Sequence, residues 1–158
     1  MSLTGVLLVL AVASALACSA TEPEPLPPIA HDGDLALSPR RLVGCYRVTS
    51  LQWYPAAPDD PAMTPPGSFE LSAEPAGYPG SRIVRVAGRR ASTFLNWLVT
   101  GPQEVTVNFS SGYVGVRFVL RQRPHDGAFY GRVEPLSESG GIPNKGYVLV
   151  ERVACGRE

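Results

Sequence analysis

The stretch EVTVNFSSGYVGVRFVLRQR, residues 104–123, decides the architecture. Val105, Val107 and Phe109 alternate with Thr106 and Asn108, and further on Val116, Phe118 and Leu120 alternate with Arg117 and Arg121. A period of two places the apolar set on one face of a strand and the polar set on the other. Ser110-Ser111-Gly112 leaves room only for a turn, so the two runs are expected to form a β-hairpin. Arg117, Arg121 and Arg123 then form a stripe on the face opposite Val114, Val116, Phe118 and Leu120. Pro124-His125-Asp126-Gly127 supplies the next turn, with Pro early and Asp-Gly at its end.

Working outward, further apolar runs of strand length recur between Gly and Pro signals. They are 43–50, 68–73, 82–87, 93–100, 128–134 and 146–154, which with 104–110 and 113–122 make eight. One run reads two ways: Ser92 can cap a short helix with Phe94, Leu95, Trp97 and Leu98 on one face. Strand neighbours on both sides favour a strand there. The segment 54–67 holds five Pro and reads as an irregular loop, with Trp53 and Tyr54 packing at its base. Composition agrees with short strands and turns. The chain of 158 residues carries 16 Gly and 16 Pro, which excludes a helical bundle or coiled coil. The expected fold is all-β: a small antiparallel up-and-down β-barrel of about eight strands, with a β-sandwich as the rival.

The division of the chain is also readable. Residues 1–17, MSLTGVLLVLAVASALA, are uncharged and apolar from Val6 to Ala17, too short to span a bilayer but suited to a signal peptide. Residues 18–40 are Pro-rich and acidic, so they read as a tether that extends rather than folds. Residues 41–158 make the barrel domain. Lys+Arg and Asp+Glu are 14 each over the whole chain, which argues against nucleic acid as a partner. From Arg41 onward there are 13 basic against 10 acidic residues, too small a surplus to imply an anionic partner.

Three cysteines complete the frame. Cys45 and Cys155 stand at the two ends of the domain, and first and last strands are neighbours in a closed barrel. A disulfide between them is expected in an exported protein, the rival being two buried free thiols. That leaves Cys18 over. Ala15-Leu16-Ala17-Cys18 resembles the bacterial lipobox, with Ala and Leu at its first two positions where Leu and a small residue are usual. The resemblance implies lipidation of Cys18 and a membrane as partner through that anchor. The expected place is the bacterial cell envelope; cleavage after the A-x-A motif instead gives a periplasmic or secreted protein.

Gly44-Cys45-Tyr46 resembles the Gly-x-Trp opening of the lipocalins and related calycin barrels, with Tyr in place of Trp. In that family a basic residue on the last strand packs against the aromatic ring. The resemblance gives this role to Arg152, making Tyr46 and Arg152 a barrel-closing pair. The domain is also similar to small bacterial lipoproteins of no assigned activity that open with Gly-Cys-Tyr and close with Cys.

Residues for chemistry are scarce. The two histidines fall in the tether and in a turn, so no catalytic triad forms without His125. No CxxC occurs, and His31 with Asp32 and Asp34 reads as solvated tether rather than a metal site. Gly140-Gly141 is an isolated pair that reads as a turn. Glu70, Glu74, Glu104, Glu134, Glu138 and Glu151 read as surface carboxylates, and the arginine stripe as a solvated face. Arg89-Arg90-Ala91-Ser92 and Asn108-Phe109-Ser110 match kinase and glycosylation patterns by chance if the compartment is bacterial. No catalytic, cofactor or metal residue is therefore assigned, and no enzyme is expected. Two functions stand: a barrel holding a small hydrophobic ligand against Val105, Val107, Phe109, Val116, Phe118 and Leu120, or a filled barrel serving structure or protein interaction.

Overall fold

A computed structural model describes residues 36–54, 56–137 and 145–156. The expected signal segment, Cys18 and most of the expected tether, with His31, Asp32 and Asp34, lie outside the described residues, as do Glu138, Gly140, Gly141 and Arg157.

Eight strands form: β1 (Gly44–Tyr54), β2 (Ser68–Pro75), β3 (Arg82–Arg85), β4 (Leu95–Gly101), β5 (Glu104–Ser110), β6 (Val114–Gln122), β7 (Phe129–Ser137) and β8 (Lys145–Val153). Each pairs antiparallel with the next, and β8 returns to β1, so the sheet is a closed up-and-down barrel. The sandwich does not form. Residues 93–100 resolve as strand: β4 pairs with β5 from Leu95↔Phe109 to Gly101↔Glu104.

The β5–β6 hairpin follows its alternation. Val107↔Phe118 and Phe109↔Val116 sit opposite each other on the inner face, and Asn108↔Arg117 on the outer. Inside, Phe109 and Phe118 meet edge to face at 5.0 Å between centroids, and Phe69 joins both at 5.1 and 6.2 Å. Edge-to-face contact of this kind is the preferred aromatic arrangement. Trp97 is fully buried, its indole N–H donating to the Ser72 carbonyl at 2.9 Å.

Outside, the arginine stripe is internally matched. Arg117 donates to Asn108 at 3.1 Å, and Asn108 to Asn96 at 2.9 Å, linking β6, β5 and β4. Arg121 pairs with Glu104 at 3.3 Å, and Arg123, just past β6, pairs with Asp126 in the following turn.

Several boundaries differ from expectation: β2 and β7 run on to Pro75 and Ser137, and β3 stops at Arg85. β1 continues to Tyr54 instead of ending near Ser50, because its register against β8 slips between Val48 and Ser50. The extra residue at that bulge sets Leu51 opposite Val148 and Trp53 opposite Gly146, out of step with Tyr46 and Val48, which hides the alternation in the sequence. The loop that follows is not wholly irregular: Pro61–Met63 is a short 3₁₀ turn in which Asp60 accepts from the Ala62 N–H, and Met63 is buried in the core.

The domain also begins earlier than Arg41. Pro39–Leu42 forms a one-turn helix, α1, and the Leu37 N–H donates to the Pro102 carbonyl at 2.7 Å. Leu37 and Leu42 pack on the core, so residues 37–40 pack with the barrel. Proline suits the first helical turn, where its missing N–H has no partner to lose.

Candidate functional site

The end of the barrel where α1 enters gathers the candidate residues. Gly44 opens β1 at φ +149°, and a Cβ there would stand 2.9 Å from Arg152 Nη2. Glycine is what lets the guanidinium lie against the strand. Tyr46 and Arg152 are direct cross-strand partners on the β1–β8 seam. Around them, α1 and the residue after it leave carbonyls that a short helix cannot satisfy itself. Arg152 Nη1 donates to the Arg41 carbonyl at 2.9 Å, Arg152 Nη2 to that of Val43 at 2.6 Å, and Tyr46 Oη to that of Leu42 at 2.7 Å. Three successive carbonyls are thus held by two side chains. Burial pushes the Tyr46 phenol pKa up, and the Arg152 charge opposes only part of that.

Cys45 lies one residue before Tyr46, and it forms a disulfide with Cys155, their Cα atoms 5.2 Å apart. The bridge pins the end of the chain beside the seam it closes. Below, Tyr46 stacks on Phe69 at 5.7 Å and meets Phe129 edge-on at 5.9 Å.

Over this clasp opens a cleft of about 490 Å³, floored by Leu42, Tyr46 and Phe129 and bounded by Leu37 and several arginines. The sequence reading missed it. Its walls come from α1, from the turn after β6 and from the end of β8, so only closure of the barrel brings them together. The available signal was the apolar pair Leu37 and Leu42 flanking Ser38-Pro39-Arg40-Arg41.

The six residues read as ligand-facing point into the barrel, and each is 0–2% exposed. None of them lines the cleft, and they contact one another and the surrounding rings instead. Tyr46 and Arg152 are brought together as a seam pair. The carboxylates are dispersed: Glu74 pairs with Arg85, Glu104 with Arg121, and Glu134 with Arg132. Among the described residues no three His, Cys, Asp or Glu side chains converge. His125 sits in the β6–β7 turn beside Asp126, whose carboxyl is held below its ordinary pKa by the Arg123 side chain and the Ala128 N–H. Comparison with known protein families, with curated proteins and with solved structures finds no match to this chain.

Proposed function

We propose that this is an exported protein, lipidated at Cys18 and tethered in a bacterial envelope, whose barrel is a non-catalytic, self-filled scaffold. Its working parts are then its surface and its ends. The observation that carries the scaffold half of this reading is the interior. Phe69, Phe109 and Phe118 meet at 5.0–6.2 Å in the middle of the barrel, with Trp97 and the inward valines buried around them. A hydrophobic guest held against Val107, Phe109 and Phe118 needs space that these rings occupy. The outer face supports a domain held at a membrane rather than one spanning it. A spanning barrel turns an apolar band outward, whereas here Asn96, Asn108, Arg117 and the Glu104–Arg121 pair face out. The strand pairing of Tyr46 with Arg152 supports the likeness to the calycin barrels, with the Arg152 guanidinium bonded to the Arg41 and Val43 carbonyls.

The tethering half rests on the apolar leader, the Ala-Leu-Ala-Cys sequence and the pairing of Cys45 with Cys155, which leaves Cys18 as the odd cysteine. Metabolic labelling with an alkyne-bearing palmitate in a bacterial host tests it. The expected result is label on the wild-type chain and none on Cys18→Ser. Unlabelled wild type, or equal labelling of the two, contradicts it.

A further inference from the structure

We infer that the cleft over the Tyr46–Arg152 clasp is a binding site for a phosphate-type oxyanion, such as the headgroup of an anionic phospholipid. Its volume of about 490 Å³ lies in the range of small-ligand sites. Its floor does not admit an acyl chain: Leu42, Tyr46 and Phe129 are only 2–3% exposed there, sealed against the core. What the cleft offers is charge. Arg40, Arg41, Arg123 and Arg152 line it, and among the described residues no carboxylate does.

The arginines are unequal. Arg123 is neutralised by Asp126 in the adjoining turn. Arg152 spends two donors on the Arg41 and Val43 carbonyls, which fix its guanidinium without cancelling its charge. Among the described residues, the ion pairs engage Arg85, Arg121, Arg123 and Arg132, leaving Arg40, Arg41 and Arg152 without a carboxylate partner. Asp126 and Glu151 line a separate hollow of about 220 Å³, with Gly127 and Arg152 as the wall it shares with the cleft. The cleft therefore holds one positioned guanidinium and two free ones around a half-open space. A planar guanidinium fork matches a phosphate or carboxylate, and such charge-assisted bonds are about twice as strong as neutral ones.

Location favours the lipid source. Ala36, the first described residue, is itself in the cleft wall, so the chain arrives from its N-terminal segment at this end. An anchor on that segment would reach the barrel from this end. The cleft is read from its own residues, so loss of the lipid-anchor reading leaves it standing, and the test below does not depend on the anchor.

The test is amide NMR on the full chain in a non-ionic detergent, titrated separately with three probes. These are dihexanoyl phosphatidylglycerol, its zwitterionic phosphatidylcholine counterpart, and inorganic phosphate. The expected result is saturable shifts with phosphatidylglycerol at Leu42, Gln122 and Gly127, competition by phosphate, and little response to phosphatidylcholine. Arg40→Gln/Arg41→Gln, which alters two exposed side chains, should weaken binding about tenfold while leaving the rest of the spectrum in place. Tighter binding of phosphatidylglycerol than of phosphate identifies a headgroup; equal binding identifies a free oxyanion. The inference is overturned by equal response to both lipids, by shifts elsewhere in the barrel, by undiminished binding to the double variant, or by no saturation with either anion.

Discussion

Tyr46 does two jobs that a phenylalanine could only half fill. Its ring packs between Phe69 and Phe129, and its hydroxyl donates to the Leu42 carbonyl at 2.7 Å. Tyr46→Phe keeps the first and removes the second, leaving a buried carbonyl short of its donor. The expected cost is about 1–3 kcal/mol in urea unfolding. An unchanged midpoint would mean that the bond holds nothing. The same hydroxyl sets a pH dependence. The folded pKa lies above the ordinary 10.0, so above that pH the unfolded chain releases its proton first. Stability from Tyr46 is complete below pH 10 and falls as pH rises through the folded value. Tyr46→Phe should therefore flatten the alkaline decline relative to wild type, and parallel declines would contradict this. At this scale the sequence was partly legible. Gly44, Tyr46 and Arg152 stand out because a motif names them, but their three carbonyl partners depend on α1, whose single turn has too little periodicity to read.

Strands were legible where the alternation is unbroken. β5 and β6 carry seven consecutive cross-strand pairs with no slip, and their ends fall within a residue of the expected positions. β1 was legible only to its bulge, since the extra residue after Val48 shifts Leu51 and Trp53 out of phase with Tyr46. β7 carries a different irregularity, written in glycine. A Cβ on Gly131 would lie 1.9 Å from the Val119 carbonyl oxygen of β6, closer than any atom can sit. Glycine lets the two strands approach and the sheet curl toward closure. Gly131→Ala should force these backbones apart, costing about 1–3 kcal/mol and lowering the urea midpoint. Gly156→Ala, with nothing near its added carbon, is the matched control and should change little. Equal midpoints for the two variants would contradict the role given to Gly131.

For the whole molecule, closure is the fact from which the rest follows. The β1–β8 pairing brings Cys45 to Cys155 across 110 residues of chain. A bridge over so long a loop stabilises by restricting the unfolded chain, up to about 4–5 kcal/mol. Reduction, or Cys45→Ser with Cys155→Ser, should lower the urea midpoint markedly, and a fully reduced protein unfolding at the wild-type midpoint would contradict this. Eight short strands with mainly hairpin-length connections favoured a barrel and left the sandwich as rival until closure was seen, whereas the cleft was not legible, because its walls are far apart in sequence. Whether a hydrophobic guest or the protein itself fills the barrel was also beyond the sequence. Inward valines and phenylalanines look the same in both cases; the ring contacts support the filled reading proposed above. The measurement that bears most directly on the filled scaffold is methyl NMR of the valines and leucines during titration with dodecanol. The account predicts no saturable shift at Val105, Val107, Val116 or Leu120 up to the solubility limit. Saturable shifts concentrated on those four methyl-bearing residues would show a guest entering the barrel, and the scaffold reading would fall.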